Sequence, residues 1–263
     1  GEDGTNPADA DAAADAADAA DVPPPPEVPW CLATEWECSN PRPQGNYLNG
    51  VWVTAPDDAW AVGEFGTVLH RDATGWSRMG CVTTKTLNDV WASGAADAWA
   101  VGRFGVAQHW DGTEWSLADT GVMEELTGVW GAAPDDVWAV GGRAGELGHW
   151  GSATVLHFDG AEWSVVYRDP VDGLQSVWGS GPSDVWSVGD YHLLHWDGGG
   201  WTETAPWLIP QGRHLGGSGP SDVWRIGDAV QYWDGAAWSV VPWGRDAPAR
   251  GVWAGGPGDA WIV

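Results

Sequence analysis

Positive charge is what this sequence has least of. Eleven lysines and arginines stand against 37 aspartates and glutamates, a formal charge of −26 over 263 residues. A surface of that sign repels phosphate backbones and excludes nucleic acid as a partner. No run of eighteen apolar residues occurs, so no segment reads as a membrane-spanning helix. The chain begins at Gly1, with neither Met nor a signal peptide, which reads as a processed or truncated start.

Cysteine is scarce too. Cys31, Cys38 and Cys81 form no Cys-x-x-Cys pair and no cysteine–histidine spacing, so neither zinc nor any other metal or cofactor is expected. Three thiols allow one internal disulfide. Cys31–Cys38 is the most local pairing and Cys38–Cys81 would tie two neighbouring modules, and the sequence leaves the choice open. Gly-x-Ser-x-Gly elbows, His-Glu-x-x-His helices and phosphate loops are missing as well.

What the chain has instead is tryptophan and glycine, 24 and 39 residues of them. The charge is also uneven, because residues 1–29 hold eight of the acids and none of the bases. Their "DADAAADAADAADVPPPP" has no apolar face to bury and ends in a polyproline run, which predicts a disordered acidic tether over 1–29. Such Ala/Asp tracts before prolines resemble the spacers of bacterial surface lipoproteins. That resemblance implies a lipid anchor upstream of Gly1 and a cell-surface or secreted location.

From Trp36 onward the sequence repeats. Trp pairs eight apart recur at 52/60, 91/99, 130/138, 178/186 and 253/261, and the second Trp falls at 60, 99, 138, 186, 224 and 261. A further Trp falls at 36, 76, 115, 163, 201 and 238. A period near forty marks stacked units, each too small to bury its own apolar faces. Within a unit, "LNGVWVT", "DAWAVG", "TVLHR" and the segment after "DGTEW" read as four short strands separated by turn residues. The expected fold is all-β, a β-propeller of four-stranded blades over residues 30–263.

The repeat "VWG…DVWAVG…HWDG…W" resembles Trp-rich bacterial surface propellers, distant relatives of the BNR, kelch and WD40 groups. The resemblance covers residues 36–263 and implies a fold rather than an activity. Five blades are complete, with inner strands starting near 48, 87, 126, 174 and 213. "PWCLATEW" and "GVWAGGPGDAWIV" hold half a blade each. Together they predict a sixth blade closed by both termini, a closed monomeric ring without free edges. The alternative is that further blades follow Val263.

Asp58, Asp97, Asp136, Asp184, Asp222 and Asp259 each precede the second Trp by two positions. They are expected to accept backbone amides of the turn between strands one and two. Calcium on this acidic rim is the alternative, without any EF-hand spacing to support it. The repeated Trp are expected to fill the wedges between blades, and a sugar stacked on one Trp per blade is the alternative. His70, His109, His157 and His195 share one repeat position, filled by Tyr232 in the fifth blade, and read as half-buried sheet residues.

Function is expected in what the repeat does not require, on the face carrying the strand two–three turns and the connections between blades. There the sequence adds Trp150, Trp207 and Trp243, with Arg213, Arg245 and the tips Phe65, Arg103, Phe104, Arg143 and Tyr191. Exposed aromatics with arginine make a recognition surface for a protein or glycan; rim packing of the three Trp is the alternative. A sialidase-like enzyme would carry Ser-x-Asp-x-Gly-x-x-Trp boxes and clustered arginines. Here the motif is "PSDVWSVG" and the ten arginines look scattered, so a non-catalytic binding or scaffold module is expected, with a lectin second.

Overall fold

The computed structural model describes residues 45–143, 152–170, 173–204, 212–244 and 248–263. The predicted tether, the segment "PWCLATEW" and Trp36 lie outside the described residues, as do Trp150, Trp207 and Arg245.

The first blade consists of β1 (Leu48–Ala55), β2 (Asp58–Gly63), β3 (Val68–Asp72) and β4 (Gly75–Arg78). The second is β5 (Leu87–Gly94), β6 (Asp97–Gly102), β7 (Ala107–Trp110) and β8 (Trp115–Ala118). In the third, β9 (Glu125–Ala133) and β10 (Asp136–Arg143) are followed by β11 (Ala153–Phe158) and β12 (Trp163–Asp169). The fourth contains β13 (Leu174–Gly181), β14 (Asp184–Gly189), β15 (Leu193–Trp196) and β16 (Trp201–Glu203). The fifth contains β17 (Gly212–Gly219), β18 (Asp222–Gly227), β19 (Val230–Trp233) and β20 (Trp238–Val241). A two-stranded sheet of β21 (Val252–Gly256) and β22 (Asp259–Ile262) comes last.

Every sheet is an antiparallel meander, and the inner strands β1, β5, β9, β13, β17 and β21 pack side by side in chain order. The chain is a β-propeller. Its inner strands start within one residue of the expected positions, because the alternation of apolar and polar residues fixes which face each strand buries.

The two Trp of each pair lie directly opposite each other, Trp52 to Trp60, Trp91 to Trp99, Trp130 to Trp138 and Trp178 to Trp186. They share a face, and that face meets the next blade. At three interfaces the first Trp rests on a neighbour without a side chain, whereas Trp52 packs against the cluster that contains Ala92, the equivalent residue of the second blade. A Cβ on Gly131 would stand 2.6 Å from the Trp91 ring, and one on Gly179 would stand 2.6 Å from Trp130. Gly217 receives Trp178 in the same way. The glycine of "VWG" is therefore the seat for the indole of the preceding blade.

The second Trp enters an aromatic box. Trp99 meets Phe158 and stands edge-on to Trp163 of the next blade, with centroids 4.8 and 5.1 Å away. Trp60 uses Trp110 and Trp115, Trp138 uses Trp196 and Trp201, and Trp186 uses Trp233 and Trp238. All four are essentially sealed from solvent, between 0% and 2% exposed. Burying each contributes about 2–3 kcal/mol.

At the last sheet the pattern stops. Trp253 and Trp261 are 61% and 69% exposed, and at the other end Leu48, Val51 and Val53 of β1 are exposed as well. Cys81 is disulfide-bonded, and its partner lies outside the described residues. Of the pairings left open by the sequence, that removes Cys31–Cys38.

Trp99→Ala is expected to lower stability by about 3–5 kcal/mol by opening a cavity between blades. Trp261→Ala should cost a comparable amount if the last sheet is covered by β1 of the first blade, and less than about 1 kcal/mol if that end stays open. Gly179→Ala should cost about 1–3 kcal/mol because the Trp130 ring must move. Denaturant melts of the three variants check the series.

Candidate functional site

The aspartates two residues before the second Trp hold side chains rather than the turn amides expected of them. His70 Nε2 stands 2.7 Å from Asp58, and the same distance separates His109 from Asp97, His157 from Asp136 and His195 from Asp184. Each imidazole also stacks on the second Trp of its blade, with centroids 4.0–4.4 Å apart. Thr54, Ser93, Ser180 and Ser218 donate their hydroxyls to Asp58, Asp97, Asp184 and Asp222. In the fifth blade Tyr232 replaces the histidine, and Trp224 Nε1 donates to Asp222 at 3.1 Å. Asp259 is exposed in the two-stranded sheet. The histidines are half-buried strand residues, as expected, and are also partners in a Trp–His–Asp network that a Thr or Ser hydroxyl joins in the first, second and fourth blades. Their constant place in the repeat was the signal for it.

The turn amides go to a second series of aspartates, at the strand three–four turns. Asp111 accepts the amides of Thr113 and Glu114 at 2.8 and 2.9 Å. Asp159, Asp197 and Asp234 do the same for the two residues that close their turns, and Asp72 accepts the amide of Thr74. The turn between strands one and two uses donors from strand three: Trp110, Trp196 and Trp233 donate indole N–H groups to Ala95, Pro182 and Pro220. Among the described residues no three His, Cys, Asp or Glu side chains are grouped to hold a metal.

The opposite face departs from the template. At Glu64–Gly66 and Arg103–Gly105 the chain makes tight turns whose central residues, Phe65 (φ 55°, ψ 34°) and Phe104 (φ 61°, ψ 36°), are left-handed. A bulky L-residue there costs about 1–2 kcal/mol. Neither ring recovers that by burial, since Phe65 is 52% and Phe104 49% exposed. The next residues, Gly66 and Gly105, are irreplaceable, because a Cβ would run into the carbonyls of Thr83 and Val122. Tyr191 is exposed at the corresponding turn of the fourth blade, and Lys85 Nζ lies 4.8 Å over the Phe104 ring. Arg103 pairs with Glu125 at 3.6 Å. Arg143 ends β10, and Trp243 is half-buried against the cluster containing Ile226, Val252 and Ile262, a placement that fits the packing alternative.

Nearer the axis, one repeat position links the blades. Asn49 Nδ2 donates to the Leu87 carbonyl, Asn88 to Leu126 and Thr127 Oγ1 to Leu174, each at 2.7–2.8 Å and each onto the next blade. One residue further along the strands, Asp89 accepts the amide of Val129 and Ser176 that of Leu215. In the fifth and last sheets the linking position is Arg213 and Arg250. These two border a cavity of about 430 Å³ with His214, Asp228, Pro248 and Ala249. Two of the ten arginines therefore border one cavity.

No family model matches this chain, and no curated protein is significantly similar to it. Solved structures are similar. YCF48 bound to a D1 peptide superposes with a TM-score of 0.61 at 16% identity, over 84% of this chain and 75% of that one. YCF48 from Cyanidioschyzon merolae gives 0.57 at 18%, over 81% and 78%. The nidogen/laminin complex gives 0.55 at 10%, over 73% and 77%. Identities this low carry the fold alone.

Hydrogen bonds to the turn carboxylates depress their pKa values. For Asp111 the Thr113 hydroxyl leads, followed by the amides of Glu114 and Thr113, and the value falls to about 2. Asp72, Asp159, Asp197 and Asp234 move the same way. A carboxylate with a depressed folded pKa stabilises fully above its unfolded value of about 3.9 and loses that contribution as pH falls through the folded one. Melting temperature should therefore fall as pH drops from about 4 towards 2. Asp111→Asn should flatten that slope, a comparison that calorimetry at stepped pH makes directly.

Proposed function

We propose that this protein is a non-catalytic binding module that takes up a protein segment on the face formed by the strand two–three turns and the blade connections. The observation that carries this reading is the pair Phe65 and Phe104. Two exposed aromatic rings in a costly left-handed conformation, at the same place in successive blades, serve neither the blades nor their packing. Exposed aromatics beside Lys85 and Arg103 are the composition of a contact surface. Two of the structurally similar propellers were solved with protein partners, YCF48 with a D1 peptide and nidogen with laminin. Both support a protein ligand ahead of a glycan. The opposite face uses its aspartates and histidines internally, which leaves little there for catalysis or for calcium.

The same proposal includes a secreted or cell-surface location. The disulfide at Cys81 supports it, because such bonds persist in oxidising compartments. We also infer that the exposed β1 face and the Trp253/Trp261 pair are the two sides of one inter-blade seam, as a sixth blade shared by both ends of the chain requires.

Panning a library of displayed 12-residue peptides, with a glycan array in parallel, tests the reading. Peptides should be enriched on the wild type and lost on a Phe65→Ala/Phe104→Ala variant, whose stability should change by less than about 2 kcal/mol because strained, exposed rings are removed. Glycan binding without peptide enrichment would favour the lectin reading. Peptides held equally well by the variant would remove the aromatic tips from the site.

A further inference from the structure

We propose that the cavity between the starts of β17 and β21 is an anion site that receives a carboxylate of the bound protein segment, clamped by Arg213 and Arg250. This rests on the reading that the same face takes up a protein segment, and it names the chemistry at one point of that contact.

The repeat itself makes the first argument. In the first three blades, the residue at this position is Asn49, Asn88 or Thr127, and its polar group is used in a bond to the next blade's carbonyl. In the fourth blade Gln175 Nε2 turns instead to Asp190 at 2.9 Å. Arg213 and Arg250 hold the position in the next two sheets and border open space instead. Among the described residues Arg213 reaches only a long contact of 3.8 Å to Asp190, and it is 53% exposed, so most of its fork of donors faces no described partner.

Charge is the second. This chain carries more than three acids for each base, yet two arginines meet here, with Asp228 in the lining and Asp190 at 3.8 Å from Arg213 as the acids beside them. A third arginine adds to the field from beneath. Arg225 is 2% exposed, lies against Gly212 next to Arg213, and among the described residues makes no salt bridge. Its one side-chain partner is Gln231 Oε1 at 3.3 Å, and its Nε has none. Burial lowers its pKa to about 10, so it keeps its charge at neutral pH. The other four complete sheets have Ala61, Ala100, Ala139 or Ser187 at that place in the second strand, so the buried cation is particular to this sector.

Neutral His214 completes the wall. Desolvation and the adjacent Arg213 both hold its pKa below the usual histidine value. It therefore offers one ring N–H and one acceptor rather than a third exposed charge. Two guanidinium forks suit a carboxylate, whose two oxygens accept parallel N–H bonds. A cavity of about 430 Å³ holds a side chain or a chain end and no folded element.

The carboxylate has two sources, a C-terminus or an Asp or Glu side chain, and the test separates them. Three probes are titrated calorimetrically into the full chain: an N-acetylated alanine hexapeptide as the free acid, its C-terminal amide, and that amide with one internal glutamate. At least one acid-bearing probe should bind tenfold or more tightly than the plain amide, and the one that does identifies the source. The gain should shrink at high salt and disappear in Arg213→Gln/Arg250→Gln, whose melting temperature should stay within a few degrees of wild type. Equal binding of all three probes, no binding up to 10 mM (roughly the weakest affinity of interest, about −3 kcal/mol), or an acid preference that survives the double variant would overturn the proposal. Since these probes carry no aromatic residue, their result is independent of Phe65 and Phe104. Loss of the acid preference leaves the aromatic surface standing, and failure of the aromatic surface in peptide panning leaves the anion site standing.

Discussion

The whole molecule depends on one contact, an indole of one blade laid against the backbone of the next. A four-stranded sheet of about forty residues has two apolar faces and no means of covering either alone. The Trp pair covers one face, and the following blade accepts it through a glycine on the inner strand and an aromatic box on the outer two. Everything else serves that contact. The His–Asp pair backs the second indole by stacking an imidazole on it from the neighbouring strand of the same sheet. The axial Asn and Thr side chains pin the inner strands together, so the glycine stays in reach of the ring. Taking away the indole removes an interface, whereas taking away a carboxylate loosens one.

Two faces of the propeller divide the labour. On one, turn aspartates capture backbone amides and strand-three indoles capture carbonyls, so the polar groups are satisfied internally and the surface is acidic and uniform. On the other, each blade ends differently, and it is there that strained phenylalanines and the two arginines appear. This asymmetry follows from topology. A tight turn between antiparallel strands is dictated by local geometry, while a connection between blades must only span a distance and is free to vary.

Much of the fold was legible in the sequence. The Trp spacing gave the blade boundaries, and the alternation placed the inner strands to within a residue, because a period-two pattern permits only one register. The partners of the aspartates were not legible. Asp58 and His70 are twelve residues apart on different strands, and nothing in the local sequence says that they meet, so turn chemistry was assigned to them when it belongs to Asp72 and its equivalents. Phe65 and Phe104 were readable as loop tips, but their left-handed backbone was not, since "EFG" and "RFG" also suit an ordinary turn. Arg213 is legible as a residue that the repeat does not require. Arg250 is not, because only the packing of β21 against β17 brings the two together.

The glycine seat has a consequence for how such a chain can change. Trp91, Trp130 and Trp178 each rest on a glycine at the same register of the following inner strand, and Gly131, Gly179 and Gly217 are interchangeable in that role. The third and fourth blades therefore carry both halves of a joint, the ring on one side and the glycine seat on the other, while the second blade has Ala92 in the seat and the fifth has Gly216 in place of the ring. Duplicating a blade of the complete kind in frame creates no new interface to be optimised, only another copy of the existing one. Blade number is then open to change by recombination between repeats. Side chains that break the template, such as Arg213 and Arg250, are the ones that give each position in the series an identity of its own.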